Sequence, residues 1–150
     1  MNEIVSRLIA LGKTISFMES CTGGYITSSL TDVEDASKVL RYSAITYSNE
    51  YKEKMGVSKE IIDQYSVYSI ETAMEMSKVI SIFANSDYGV GITGNLKETK
   101  EGKLEVFISI YDRVHDSFDQ MKIHLEENTR IHNKEIIKEK IIERLLIILK

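Results

Sequence analysis

The chain has 150 residues and a mass of 17.1 kDa, the size of one domain spanning 1–150, and is 43% hydrophobic and 28% charged, as an ordinary globular protein is. Its 19 Lys and Arg against 23 Asp and Glu leave a net charge of −4, which argues against nucleic acid as a partner, since that affinity comes from an excess of basic groups over phosphates. A lone cysteine, Cys21, excludes an internal disulfide and a cysteine-rich zinc site. The longest apolar run, Leu145 to Leu149, is far short of the roughly 20 residues of a membrane helix. The amino terminus lacks a signal-peptide layout, so a cytoplasmic protein with no membrane partner is expected.

Ile4, Val5, Leu8, Ile9 and Leu11 recur at helical spacing, with Gly12 as a stop. Thr14 to Met18 reads as a short strand that runs into Glu19-Ser20-Cys21-Thr22-Gly23-Gly24, and Tyr25 to Leu30 as the helix after it. Val39 to Tyr47 is rich in β-formers and predicts the next strand, followed by a short helix that Asn49 is placed to cap. Ser58 and Ser69 each precede a helical pattern, and the second puts Ala73, Met76, Ile80 and Phe83 on one face. Tyr88 to Thr93 predicts a central strand, Asn95 to Lys103 a charged surface loop, and Leu104 to Tyr111 a strand buried on both faces. Met121, Ile123 and Leu125 alternate with polar residues after a turn near Val114 to Asp116, the mark of a half-buried partner strand. Ile136, Ile137, Ile141, Leu145 and Leu149 stripe a final helix. Helices at both ends and between strands predict a three-layer α/β/α sandwich with a mixed sheet.

Gly89-Val90-Gly91-Ile92-Thr93-Gly94 spells the dinucleotide fingerprint, yet its mechanism needs a helix opening directly after the glycines. A charged loop follows instead, so close backbone packing at a strand end is the better reading and no cofactor is expected. His115, His124 and His132 fall on a turn, a strand and a loop without metal-ligand spacing, and no metal is expected. The segment 19–24 carries more chemistry. A hydroxyl at the end of a strand, before two glycines that open a helix, sets Ser20 against several backbone N–H groups able to stabilise an oxyanion. Cys21 is an alternative nucleophile, with no histidine placed to activate it. No Ser-His-Asp order and no Ser-x-x-Lys occurs. A base must come from a distant lysine or tyrosine, and Tyr47-Ser48-Asn49-Glu50-Tyr51-Lys52 supplies both.

Glu-Ser-Cys-Thr-Gly-Gly at 19–24 followed by Thr-Tyr-Ser-Asn-Glu-x-Lys at 46–52 closely resembles the CinA carboxy-terminal domain family. The similarity continues through Met55-Gly56-Val57, Val67-Tyr68-Ser69, Gly91 to Gly94 and Asn128-Thr129-Arg130, nearly the whole chain. The resemblance implies a stand-alone nicotinamide-nucleotide amidase, converting nicotinamide mononucleotide to nicotinate mononucleotide and ammonia, and a homo-oligomeric state. It implies Ser20 as nucleophile, Lys52 as general base and Tyr47 beside them. It further implies Cys21, Thr22, Gly23, Gly24, Thr93 and Gly94 lining the substrate site, with Arg130 on the phosphate.

Two departures from the family pattern stand out. The family continues after Gly94 with Ile-Ala-Gly-Pro and more glycines, whereas this chain reads Asn95-Leu96-Lys97-Glu98-Thr99-Lys100-Glu101-Gly102. Lys134 stands where the family has an arginine, keeping the charge without bidentate geometry. The charged loop is expected to be mobile and solvated, closing poorly on a nucleotide. That expectation leaves a second reading open: a CinA-like ligand-binding or competence-associated protein with weak or no turnover.

Overall fold

The computed structural model describes residues 1–100 and 102–150. In chain order the elements are α1 (Asn2–Leu11), β1 (Ile15–Glu19), α2 (Tyr25–Thr31), a 3-10 turn (Ala36–Lys38), β2 (Leu40–Ile45), α3 (Asn49–Lys54), α4 (Lys59–Tyr65), α5 (Ile70–Ala84), β3 (Tyr88–Gly94), β4 (Glu105–Asp112), β5 (Ser117–His124) and α6 (Arg130–Ile148). The strands form one five-stranded sheet in the order β2-β1-β3-β4-β5. β1 runs parallel to β2 and β3, whereas β4 and β5 are antiparallel, so the sheet is mixed.

Alternate residues of the central strands feed two cores. Ile15 and Phe17 of β1 pack with Ile4 and Leu8 of α1, Ile26 and Leu30 of α2, and Ile137, Ile141 and Leu145 of α6 on one face. Met18 of the same strand points the other way, into a smaller core with Met76 and Ile80 of α5, Ile62 of α4 and Val57. Helices thus cover both faces, and the three-layer arrangement reflects the strand period of two. Arg7 ties the chain ends together by donating to the carbonyls of Leu146 and Leu149, which the end of α6 leaves without helical partners.

The glycines of the 89–94 segment serve packing. A Cβ on Gly89 would sit 2.0 Å from the Ser77 carbonyl oxygen, and one on Gly91 2.3 Å from that of Ala73. α5 therefore lies directly on β3. After Gly94 the chain turns back into antiparallel β4, with no helix opening toward a phosphate.

Some expectations shift by a residue or a face. The cap of α3 is Ser48, whose Oγ accepts from the Tyr51 N–H at 3.4 Å; Asn49 is the first helical residue. Ser58 and Ser69 cap α4 and α5 in the same way. Phe83, expected beside Ala73, Met76 and Ile80, is 62% exposed, and its ring meets Tyr42 of the edge strand β2 instead.

Candidate active site

β1 delivers Ser20 to the carboxyl edge of the parallel strands, where the Ser20 N–H bonds to the Ile92 carbonyl at 3.0 Å. Such edges beside a central strand are where open α/β sheets bind ligands. The neighbouring strand β2 ends at Ile45, and the chain turns through Thr46 into α3, whose first turns carry Lys52 inward. Lys52 is 1% exposed, and its Nζ donates to the Ser20 Oγ at 3.0 Å and to the Thr46 carbonyl at 2.6 Å. Among the described residues no carboxylate pairs with this amine. Burial accordingly pulls its pKa down from 10.5 to about 8, because desolvation disfavours the ammonium.

Ser20 and Lys52 line a cavity of about 270 Å³ together with Cys21, Tyr47, Gly94 and Arg130. Tyr47 is 64% exposed, and its hydroxyl accepts from Arg130 Nη2 at 3.3 Å. The tyrosine therefore belongs to the rim with Arg130, not to the Ser20–Lys52 pair. Thr93, expected on the cavity wall, is fully buried one layer behind it and donates from Oγ1 to the Val67 carbonyl at 2.9 Å. Its contact fixes the Val67–Tyr68 segment, which does line the cavity.

The turn after Ser20 divides its N–H groups. Gly23 donates to the Ser20 carbonyl at 3.0 Å, and Gly24 donates to the Glu19 carboxylate at 3.1 Å. Among the described residues no backbone or side-chain oxygen accepts from the N–H of Cys21 or Thr22. Of the four residues expected on the cavity wall here, Cys21 lines it, whereas Thr22, Gly23 and Gly24 do not, Thr22 being fully buried. The backbone here is left-handed at Gly23 (φ 61°) and Gly24 (φ 92°), a geometry that glycine adopts without the strain of a Cβ. The Lys134 amine lies above Gly23, 3.7 Å from where a Cβ would stand.

Cys21 is 5% exposed, and burial pushes its thiol pKa up to about 12, so it stays protonated at neutral pH. It lines the cavity without being a competent nucleophile.

The loop after Gly94 meets its expectation in part: Lys97, Glu98, Thr99 and Lys100 are exposed, and Leu96 is not. Leu96 is 1% exposed and packs in the larger core, and its carbonyl accepts from the Asn133 Nδ2 at 3.2 Å. Thr99 and Gly102 exchange backbone hydrogen bonds in a tight bridge. Asn95, Lys97 and Thr99 consequently reach the cavity. The charged pattern concealed one apolar anchor, and that anchor holds the segment down. Glu101 lies outside the described residues.

His115, His124 and His132 are exposed, and among the described residues no group of His, Cys, Asp and Glu is arranged to hold a metal ion. Among those residues, too, no helix is long and apolar enough to cross a membrane.

The model of the CinA C-terminal domain family matches residues 1–148. The chain belongs to this family. It is 40% identical over 134 residues to a CinA-like protein of Thermosipho melanesiensis, an alignment covering 86% of this chain and 32% of that protein. It is 36% identical over 131 residues to a CinA-like protein of Dictyoglomus turgidum, covering 83% of this chain and 32% of that one. This CinA domain thus spans about a third of the length of these curated relatives. Among solved structures, the competence/damage inducible protein CihA from Agrobacterium tumefaciens superposes with a TM-score of 0.88 at 25% identity, over 99% of this chain and 94% of that one. A CinA superfamily protein from Enterobacter cloacae superposes with a TM-score of 0.90 at 22% identity, over 99% and 92%, and so shares the fold.

Proposed function

We propose that this CinA-family chain is an amide hydrolase that takes nicotinamide mononucleotide to nicotinate mononucleotide and ammonia. One observation carries the reading: a buried lysine with no counter-ion among the described residues, its pKa brought to about 8, lies 3.0 Å from a serine hydroxyl that lines a cavity. A lysine in that state is a base near neutral pH, and a serine within its reach is a nucleophile.

In the proposed sequence, neutral Lys52 takes the Ser20 proton as Oγ attacks the carboxamide carbon. The N–H groups of Cys21 and Thr22 receive the oxyanion, the task that preorganised donors perform best in a dry site. The Lys52 ammonium then returns its proton to the departing nitrogen, which leaves as ammonia. Water, deprotonated by the same lysine, clears the acyl-serine.

Arg130 and Lys97 give the cavity wall a positive end suited to a phosphate, with the Tyr47 hydroxyl holding Arg130 by its guanidinium. The alternative is a CinA-like ligand-binding or competence-associated protein with poor turnover, and the exposed residues Lys97 to Lys100 beside the cavity favour it, whereas the buried Leu96 does not.

Ammonia release from nicotinamide mononucleotide, with nicotinate mononucleotide identified as the other product, is the test. Release by the wild-type chain and its loss in Ser20→Ala supports the reading. Absence of release in wild type overturns it.

A further inference from the structure

Glu19 is fully buried at the end of β1, one residue before Ser20, and the proposed hydrolysis does not use it. Its carboxylate accepts five hydrogen bonds. Oε2 takes the Thr22 hydroxyl at 2.6 Å and the N–H groups of Gly24 at 3.1 Å and Ile26 at 3.2 Å. Oε1 takes the N–H of Thr27 at 2.8 Å and its hydroxyl at 2.7 Å. Every donor comes from the eight residues after Glu19 in the chain.

We propose that Glu19 is the positioning residue of the serine turn: its carboxyl group sets both the place of Ser20 and the choice of N–H groups left to receive an oxyanion. The inference rests on the amidase reading and deepens it.

The turn needs such a fastener. Two successive left-handed glycines leave the turn a wide choice of backbone conformations. The strand holds the turn at one end through the Ser20 N–H, and the Glu19 carboxylate holds it at the other through Gly24, Ile26 and Thr27. By accepting from Gly24, Ile26 and Thr27, the carboxylate also engages the N–H groups of the first turn of α2. Among the described residues no oxygen accepts from the N–H groups of Cys21 and Thr22, which lie between the two fastened ends.

Both oxygens accept from backbone N–H groups, Oε2 from Gly24 and Ile26 and Oε1 from Thr27. A Gln side chain keeps the volume but turns an NH2 group toward backbone N–H donors, forfeiting the bonds on one oxygen and placing donor against donor. A residue that merely packed would tolerate that exchange.

The experiment compares wild type with Glu19→Gln, Thr22→Val and Thr22→Ser in the full chain, reading kcat and KM on nicotinamide mononucleotide, thermal midpoint, and labelling of Ser20 by a fluorophosphonate. Glu19→Gln is expected to lose about tenfold or more in kcat and in labelling rate, with KM within about threefold, the split left by misplaced oxyanion donors. Thr22→Val, which keeps shape and main chain, is expected to lose about three- to tenfold in kcat, and Thr22→Ser to restore it. Unchanged kcat in folded Glu19→Gln would overturn the proposal. If Glu19→Gln does not fold, wild-type turnover in Thr22→Val would overturn it. An inert wild-type chain, neither hydrolysing nor labelled, would overturn the amidase reading and this proposal together, whereas a reactive wild type with an equally reactive Gln variant would overturn this proposal alone.

Discussion

The Lys52 amine reaches the Ser20 hydroxyl at 3.0 Å across 32 positions of sequence, from the helix that follows the neighbouring strand β2. β2 and the first turns of α3 act as an arm that carries a cation inside. The Thr46 carbonyl, 2.6 Å from Nζ, is the only other oxygen bonded to it among the described residues. A neutral amine keeps that bond as donor while its lone pair turns to the serine.

Activity is expected to rise with pH in proportion to the neutral fraction of Lys52. Below its pKa of about 8 the gain approaches about tenfold per pH unit, and above it the profile levels off. Lys52→Arg, which stays charged at every accessible pH, is expected to be as inactive as Lys52→Ala. A kcat/KM profile for wild type and end-point assays for the variants check both statements.

The same burial carries a stability consequence with a definite sign. The folded pKa lies below the unfolded one, so between about 8 and 10.5 the unfolded chain binds more protons and stability grows with pH. Below pH 8 both states hold the proton, and the folded state bears the full cost of an enclosed ammonium. Lys52→Met is therefore expected to be inactive yet more stable at pH 7, by about 1–2 kcal/mol. Its advantage over wild type shrinks toward pH 10, as paired denaturant titrations at the two pH values would record.

Tyr47 and Arg130 are expected to act on affinity. A charge-assisted contact is worth roughly 1.5–3 kcal/mol, so Arg130→Ala raises KM about ten- to a hundredfold with kcat little changed. Tyr47→Phe removes the hydroxyl that accepts from Arg130, and a KM rise of about two- to fivefold at constant kcat is expected. A drop in kcat instead would return the tyrosine to proton transfer.

Leu96→Ala tests whether the charged loop is anchored. Truncating a buried leucine costs about 2–5 kcal/mol, and the freed segment would withdraw Lys97 from the cavity wall. The expected result is a lower melting temperature together with a higher KM. Replacing the loop by the family's Ile-Ala-Gly-Pro type is expected to change KM more than kcat.

Much of the fold is legible in the local pattern. The alternation of β5, the unbroken apolar runs of β3 and β4, and the serines heading α4 and α5 read directly as elements, because each pattern reports its own backbone period. The Ser20 and Lys52 motifs are visible too, yet only the fold makes them neighbours. Three features stay hidden. Thr93 sits behind the cavity because strand alternation sends its side chain under Val67, a segment far away in sequence. Tyr47 faces Arg130 because the end of β2 meets the start of α6, a pairing that no local spacing encodes. Leu96 is masked by its charged neighbours, since one apolar residue in a polar run has no period to reveal it.

The thiol beside Ser20 bears on where the proposed enzyme can work. Cys21 shares the cavity with Ser20, yet its pKa of about 12 leaves almost none of it as thiolate at neutral pH. Peroxide and disulfides react through the thiolate, so neither finds a handle there. Turnover would then be indifferent to the redox poise of its surroundings, and a reagent that alkylates accessible thiols would leave it running.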